Sequence, residues 1–276
     1  MPKNSILAAL LLAAALQAAS VDGAGNPLSL SFAGVCASMA VPSASLFSNP
    51  AWLGAAQEGA VFSASVQSLF GVPGLHQGQA GVELPFHGFG LSAGAAYLRA
   101  DTLYRELVAA AGLSRAVRRL RLGASFECAS AGFEEEGADY AFALNAGACV
   151  RLLYGLHGSI AVRHLTTGTL FNDAGVLPRQ WRTGVCYEHE WLRISLEAEY
   201  ETGFPVSVAF AQEMRLAEGF RLRAGLRSDP LTFGFGCSVG IRGLSAETGF
   251  RTHPELGLSK AVGLTYQQPV RPEKLH

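Results

Sequence analysis

Seven histidines, His76, His87, His157, His164, His189, His253 and His276, are the sequence's stock of general bases. Nucleophilic catalysis needs a serine or cysteine within hydrogen-bond reach of such a base, with a third polar group orienting it. No G-x-S-x-G sits where a nucleophile would be presented. His157, with Ser159 in phase two residues on, is the one pair of suitable types, and a polar residue satisfied by charged neighbours is its simpler reading. Glu134-Glu135-Glu136, with Asp139 close by, could hold a divalent cation, although a carboxylate run between ordered segments is commonly a solvated loop. Cys36, Cys128, Cys149, Cys186 and Cys237 are an odd set at wide spacings without a C-x-x-C pair, so neither a disulfide framework nor a zinc site is signalled. The expectation is a chain with no catalytic residues, no metal site and no cofactor.

The elements that would position these groups show a single period. From Trp191 to Glu201, Leu192, Ile194, Leu196, Ala198 and Tyr200 share one parity, and Arg193, Ser195, Glu197, Glu199 and Glu201 share the other. Only a strand separates its faces with a period of two. The pattern recurs over 59–69, 77–86, 88–99, 102–114, 118–129, 139–151, 155–166, 180–189, 191–201, 205–216, 219–227, 231–241, 243–251 and 256–267. Each span is close to the length with which a tilted strand crosses a bilayer. Residues 1–20 combine Lys3, an apolar stretch from Ile6 to Leu16 and the small residues Ala18, Ala19 and Ser20, which reads as a secretory signal. Behind such a signal, an even number of alternating strands predicts an all-β fold: a transmembrane antiparallel up-and-down barrel of about 14 strands, apolar face to lipid and polar face to the lumen.

The expected organisation is a signal peptide at 1–20, an N-terminal hatch-like segment at 21–57, the barrel at 58–268 and a tail at 269–276. If both termini lie in the periplasm, the short links Phe86-His87-Gly88, His189-Glu190 and Arg242-Gly243 fall on the inner side, and the longest, 131–139 and 167–179, on the outer. Tyr97, Tyr140, Trp181, Tyr200 and Phe250 fall at outer strand ends, and Phe62, Phe86, Phe89, Tyr187, Phe220 and Tyr266 toward inner ones, as two interfacial girdles would require.

Composition agrees with this reading. At 49% hydrophobic and 16% charged the chain is apolar for a soluble protein, and a net charge of -1 lacks the clustered basic surface that nucleic acid demands. The one basic run, Arg115, Arg118, Arg119 and Arg121, spans a turn between two strands.

The segment from Leu28 to Ala56 does not alternate. It contains Ser45-Leu46-Phe47-Ser48-Asn49-Pro50-Ala51-Trp52-Leu53-Gly54, in which Asn-Pro favours a turn and Pro removes a backbone donor. An apolar-aromatic pair, a small residue, Asn-Pro-Ala and a Leu resembles the N-terminal hatch of the FadL family of outer-membrane transporters for hydrophobic molecules. It is equally similar to the PorV/PorQ-like barrels associated with secretion systems. The resemblance implies fourteen strands, and makes Phe47, Asn49, Pro50, Ala51 and Trp52 the hatch or ligand-binding residues. It also implies an opening in the wall at a kinked strand in the N-terminal third. The third predicted strand, Phe89 to Tyr97, is rich in Gly and Ala but has no Pro to force a kink.

Two functions follow, both in the outer membrane and in contact with its lipid. One is passive uptake or binding of hydrophobic small molecules, and the other is a structural barrel that docks secretion-system proteins without conducting. The lumen is expected to hold a charge cluster of Arg193, Glu197, Glu199, Glu201, Glu213, Arg215, Arg221, Arg223 and Arg227. Opposite charges on neighbouring strands should pair and help close the pore, because an unpaired ion in a narrow cavity forfeits several kcal/mol of hydration.

Overall fold

A computed structural model describes residues 25–42, 44–55, 59–133, 137–166, 169–170 and 175–269. The signal peptide, the Glu134-Glu135-Glu136 run and the tail beyond Pro269 lie outside the described residues. Fourteen antiparallel strands close into a barrel. The first half is β1 (Val61–Ser68), β2 (Leu75–Phe86), β3 (Phe89–Ala100), β4 (Tyr104–Val117), β5 (Leu120–Phe133), β6 (Gly137–Leu153) and β7 (Leu156–Arg163). A two-stranded hairpin, β8 (Thr169–Leu170) and β9 (Gly175–Val176), stands outside the barrel sheet. The wall resumes with β10 (Gln180–Glu188), β11 (Leu192–Glu201), β12 (Ser207–Ala217), β13 (Phe220–Ser228), β14 (Leu231–Ile241), β15 (Leu244–His253) and β16 (Gly257–Gln267). Each strand pairs with its sequence neighbour in the wall, and β1 pairs with β16 to close it.

The period of two decides which face meets lipid. On β11, Ser195 and Glu197 are buried while Leu196 and Tyr200 are exposed. A one-residue slip of β13 would turn Arg223, now buried in the lumen, onto the lipid face. A basic residue near the bilayer midplane costs about 2–4 kcal/mol there, so the observed register wins. The outward face is a belt of exposed apolar side chains that includes Phe62, Leu122, Phe126, Phe142, Leu196, Phe233 and Val262. Trp181 lies opposite Tyr200 at the long-loop end and Phe62 opposite Tyr266 at the other, so interfacial aromatics occupy both rims.

One end of the barrel has links of two or three residues. His87-Gly88 and Arg242-Gly243 both have positive φ at their two central residues, at 48° and 80°, and at 50° and 85°. That combination fits the right-handed twist of paired strands and explains the glycine in second place. The strand limits follow the alternation within a few residues, with two informative departures. β7 stops at Arg163, because His164 turns left-handed (φ 51°) and gives its N–H to Asn145 Oδ1 at 2.9 Å. The link beyond it, expected to be plain loop, contains the β8–β9 hairpin.

The barrel is not hollow. Residues 25–42 and 44–54 run through it almost completely buried. Asn26 starts helix α1 (Pro27–Ser31), its Oδ1 accepting from Leu28 N at 2.8 Å. Helix α2 (Ala44–Ser48) leads to Asn49, whose Oδ1 accepts from Ala51 N at 3.0 Å and caps a 3-10 turn at Pro50–Trp52. Both turns use Asn before Pro, which supplies a cap and a preset φ together. The wall makes room for this inner segment with cross-strand glycine pairs. Gly123 faces Gly147 and Gly225 faces Gly234. A Cβ at Gly147 would collide with Asn49 Oδ1, and one at Gly225 with the backbone of Phe32. The wall's glycines are therefore contact surfaces for backbone.

Candidate functional site

The inner segment divides the lumen into two unlike sectors. On one side, inward-facing Ala96 and Leu98 of β3, Val108 and Ala110 of β4, and Ala129 and Ala131 of β5 form a buried apolar cluster with Leu46, Phe47 and Leu53. Leu69, Leu75 and Tyr104 continue it to the long-loop end, with Phe70 and Phe133 packed against it. The alternation alone suggests a polar lumen, and here inward positions carry alanine and leucine.

The opposite sector holds most of the charges, while Glu106 of β4 and Glu127 of β5 are buried on the side of the apolar cluster. Glu199 sits between Arg182 at 3.3 Å and Arg227 at 2.9 Å, and Glu213 between Arg223 at 2.6 Å and Arg193 at 3.7 Å. Arg193 also grips Glu188. Glu201 accepts from Gln180 Nε2 at 2.6 Å. Three charged groups of this sector hold the inner segment directly, and one of them is Arg182, whose Nη1 donates to Cys36 Sγ at 3.0 Å. Glu197 Oε2 accepts from the backbone N–H of Ala37 and of Ser38, each at 3.0 Å, and from Ser38 Oγ at 2.9 Å. Arg227 Nε donates to the Ala33 carbonyl at 2.9 Å. Arg215 and Arg221 depart from the expectation of pairing. They stand directly opposite each other across β12 and β13, exposed, with no side-chain hydrogen bond or ion-pair contact among the described residues.

Of the expected hatch residues, Phe47 is buried in the apolar cluster, and Asn49 Nδ2 donates to the Ala37 carbonyl at 2.7 Å. Pro50 and Ala51 are buried in the 3-10 turn, their backbone against Gly123. Trp52 Nε1 donates to the same Ala37 carbonyl at 2.8 Å, and its ring meets His157 edge-on at 5.8 Å. The motif thus organises the inner segment itself. Ser159 Oγ turns to the Gly184 carbonyl at 3.5 Å. Gly90-Leu91-Ser92-Ala93-Gly94 has the spelling of a nucleophile elbow, but it lies within β3 and Ser92 Oγ donates to the Val82 carbonyl at 3.0 Å.

A buried group that sequence reasoning missed joins three strands. Glu127 accepts from Asn145 Nδ2 at 2.6 Å and lies 3.6 Å from Arg163 and 3.5 Å from His164. Its signal was a carboxylate at an inward position of an Ala/Ser-rich strand, but its partners come from register. The wall of β3 is unbroken, in continuous register with β2 and β4, so the kinked strand implied by the resemblance is not present there.

No protein-family model matches the sequence, and no curated protein matches it. Solved structures do. The toluene transporter TbuX of Ralstonia pickettii superposes with a TM-score of 0.70 at 11% identity, over 91% of this chain and 100% of that one. The toluene transporter TodX of Pseudomonas putida gives 0.66 at 11%, over 89% and 99%. A FadL homologue of Pseudomonas aeruginosa gives 0.65 at 12%, over 88% and 98%. The chain has the membrane-barrel fold of the FadL-type transporters.

Proposed function

We propose that the protein is an outer-membrane channel for passive uptake of hydrophobic small molecules, with its short-turn end toward the periplasm. One observation carries this reading: the apolar lumenal sector of β3 to β5, continuous from Tyr104 near the long-loop end to Leu46 and Phe47. A water-filled porin lines its lumen with polar groups, and such a sector serves no hydrated solute. Fold neighbours described as toluene transporters support the same substrate class. The docking alternative, a secretion-associated barrel, draws no support from these likenesses. In this conformation Leu46 and Phe47 occupy the sector, so passage requires them to yield.

The test is uptake of radiolabelled toluene by Gram-negative cells producing the protein, against cells producing Val108→Asp. A several-fold rise over empty cells, lost in the variant, is expected. Uptake equal to that of empty cells, or unchanged by a carboxylate in the sector, overturns the reading.

A further inference from the structure

At the short-turn end, a cavity of about 570 Å³ opens between the turns after β6 and β10. Arg151, Arg215 and Arg221 line it, and none makes a side-chain hydrogen bond or ion-pair contact among the described residues. Like charges placed directly opposite on adjacent strands are unfavourable, and Arg215 faces Arg221 in that way. Local irregularities accompany two of the three. The register of β12 against β13 shifts between Arg215 and Ala217, and that of β6 against β7 between Arg151 and Leu153. Bulges re-aim side chains and recur beside binding sites. Two further carboxylates line the cavity: Glu213, bonded to Arg223 and Arg193 and attracting Arg221, and Glu188, bonded to Arg193. Glu190 lines the cavity from the turn, and His157 and His189 also line it.

The geometry points to a binding site for a phosphate group at this mouth, with Arg215, Arg221 and Arg151 as its ligands. A carboxylate offers one charge and two oxygens, which a single guanidinium can satisfy. Separated guanidinium forks are matched by a dianion with three free oxygens, which also relieves the Arg215 and Arg221 opposition. The phosphate belongs either to a soluble monoester or to a monoester lipid headgroup, that of phosphatidic acid, in the facing leaflet. This site is independent of the apolar sector and of what that sector carries.

The experiment is isothermal titration calorimetry on the full chain folded in detergent, with inorganic phosphate and glycerol 3-phosphate as probes and acetate as the monoanion control. Saturable binding at one site is expected, at least tenfold tighter than acetate. It should weaken at least tenfold in Arg221→Gln and in Arg215→Gln, and stay unchanged in Arg118→Asn, which alters a turn arginine outside the cavity. Glu190→Gln, which touches none of the paired groups, should tighten binding and gives a reading independent of any arginine variant. Displacement by lysophosphatidic acid assigns the phosphate to lipid, and displacement by glycerol 3-phosphate alone assigns it to a soluble ester. Absence of saturable binding by all phosphate probes, or binding that the Arg215 and Arg221 variants leave intact, overturns the proposal.

Discussion

The two sectors of the lumen hold the same inner segment by different physics. Against β10 to β13, the segment is tied by charged acceptors and donors: Glu197 takes three hydrogen bonds from residues 37 and 38, and Arg227 reaches Ala33. Against β3 to β5, Leu46, Phe47 and Leu53 pack on alanine, valine and leucine, with neutral ties from Ser114 to the Leu53 carbonyl at 2.6 Å and from Ser125 to the Leu46 carbonyl at 3.0 Å, and one charged tie, from Arg121 Nη1 to the Leu53 carbonyl at 3.1 Å. Charge-assisted bonds are directional and fail abruptly when stretched. Apolar contacts tolerate sliding and can be replaced one for one by an apolar guest. If the barrel opens for a hydrophobic molecule, the charged sector is the fixed side and the apolar sector the yielding one.

The largest effect should come from breaking the fixed side. Glu197→Ala leaves the Ala37 and Ser38 donors without their carboxylate, while Arg182 keeps Glu199 at 3.3 Å. Removal of one partner from a buried charged network costs about 3–5 kcal/mol. A lower temperature for the gel shift of the folded barrel, together with single-channel currents absent from the parent, is the expected outcome in planar bilayers. A silent variant of parental stability would erase the distinction between the sectors.

Next comes Leu46→Ala on the yielding side, where a fully buried leucine is cut back. Such truncations cost about 2–5 kcal/mol, and the space they leave is apolar. The protein should melt earlier yet take up toluene faster than the parent, whereas Glu197→Ala should admit ions. Slower uptake by Leu46→Ala would place the route elsewhere.

Ser125→Ala should do least. It removes one neutral bond to Leu46 and one from Asn145 Nδ2, at about 0.5–1.5 kcal/mol for each bond. Thermal melts should move by only a few degrees, with uptake unchanged. A shift as large as that of Glu197→Ala would mean that the apolar sector is also held by directional bonds.

The wall was legible because each strand carries its own evidence. Leu192 to Glu201 alternates whatever its neighbours do, and His87-Gly88 and Arg242-Gly243 name their turns. The interior was less so, since its facts belong to pairs of distant residues. Arg182 sits on an inward parity like any other arginine until register sets it beside Glu199. Ala129 and Ala131 look neutral in a strand where both faces carry small residues, so the apolar sector is invisible until the wall closes around Leu46. Asn49-Pro50-Ala51 was recognisable as a motif, while its glycine seats at Gly123 and Gly147 lie 73 residues beyond Pro50 and 98 beyond Asn49.

Those glycine seats bear on the order of assembly. Gly123 and Gly147 receive Asn49 and Pro50 on one wall, and Gly225 and Gly234 receive Phe32 and Leu30 on the other. A segment seated against both walls cannot be threaded in once β1 has met β16, the pairing of longest sequence separation. Long-range pairings are slow to form. The N-terminal residues, made first, are then in place as a form around which the strands gather, and a side chain added at Gly147 would lower the yield of closed barrel before it altered any property of the finished one.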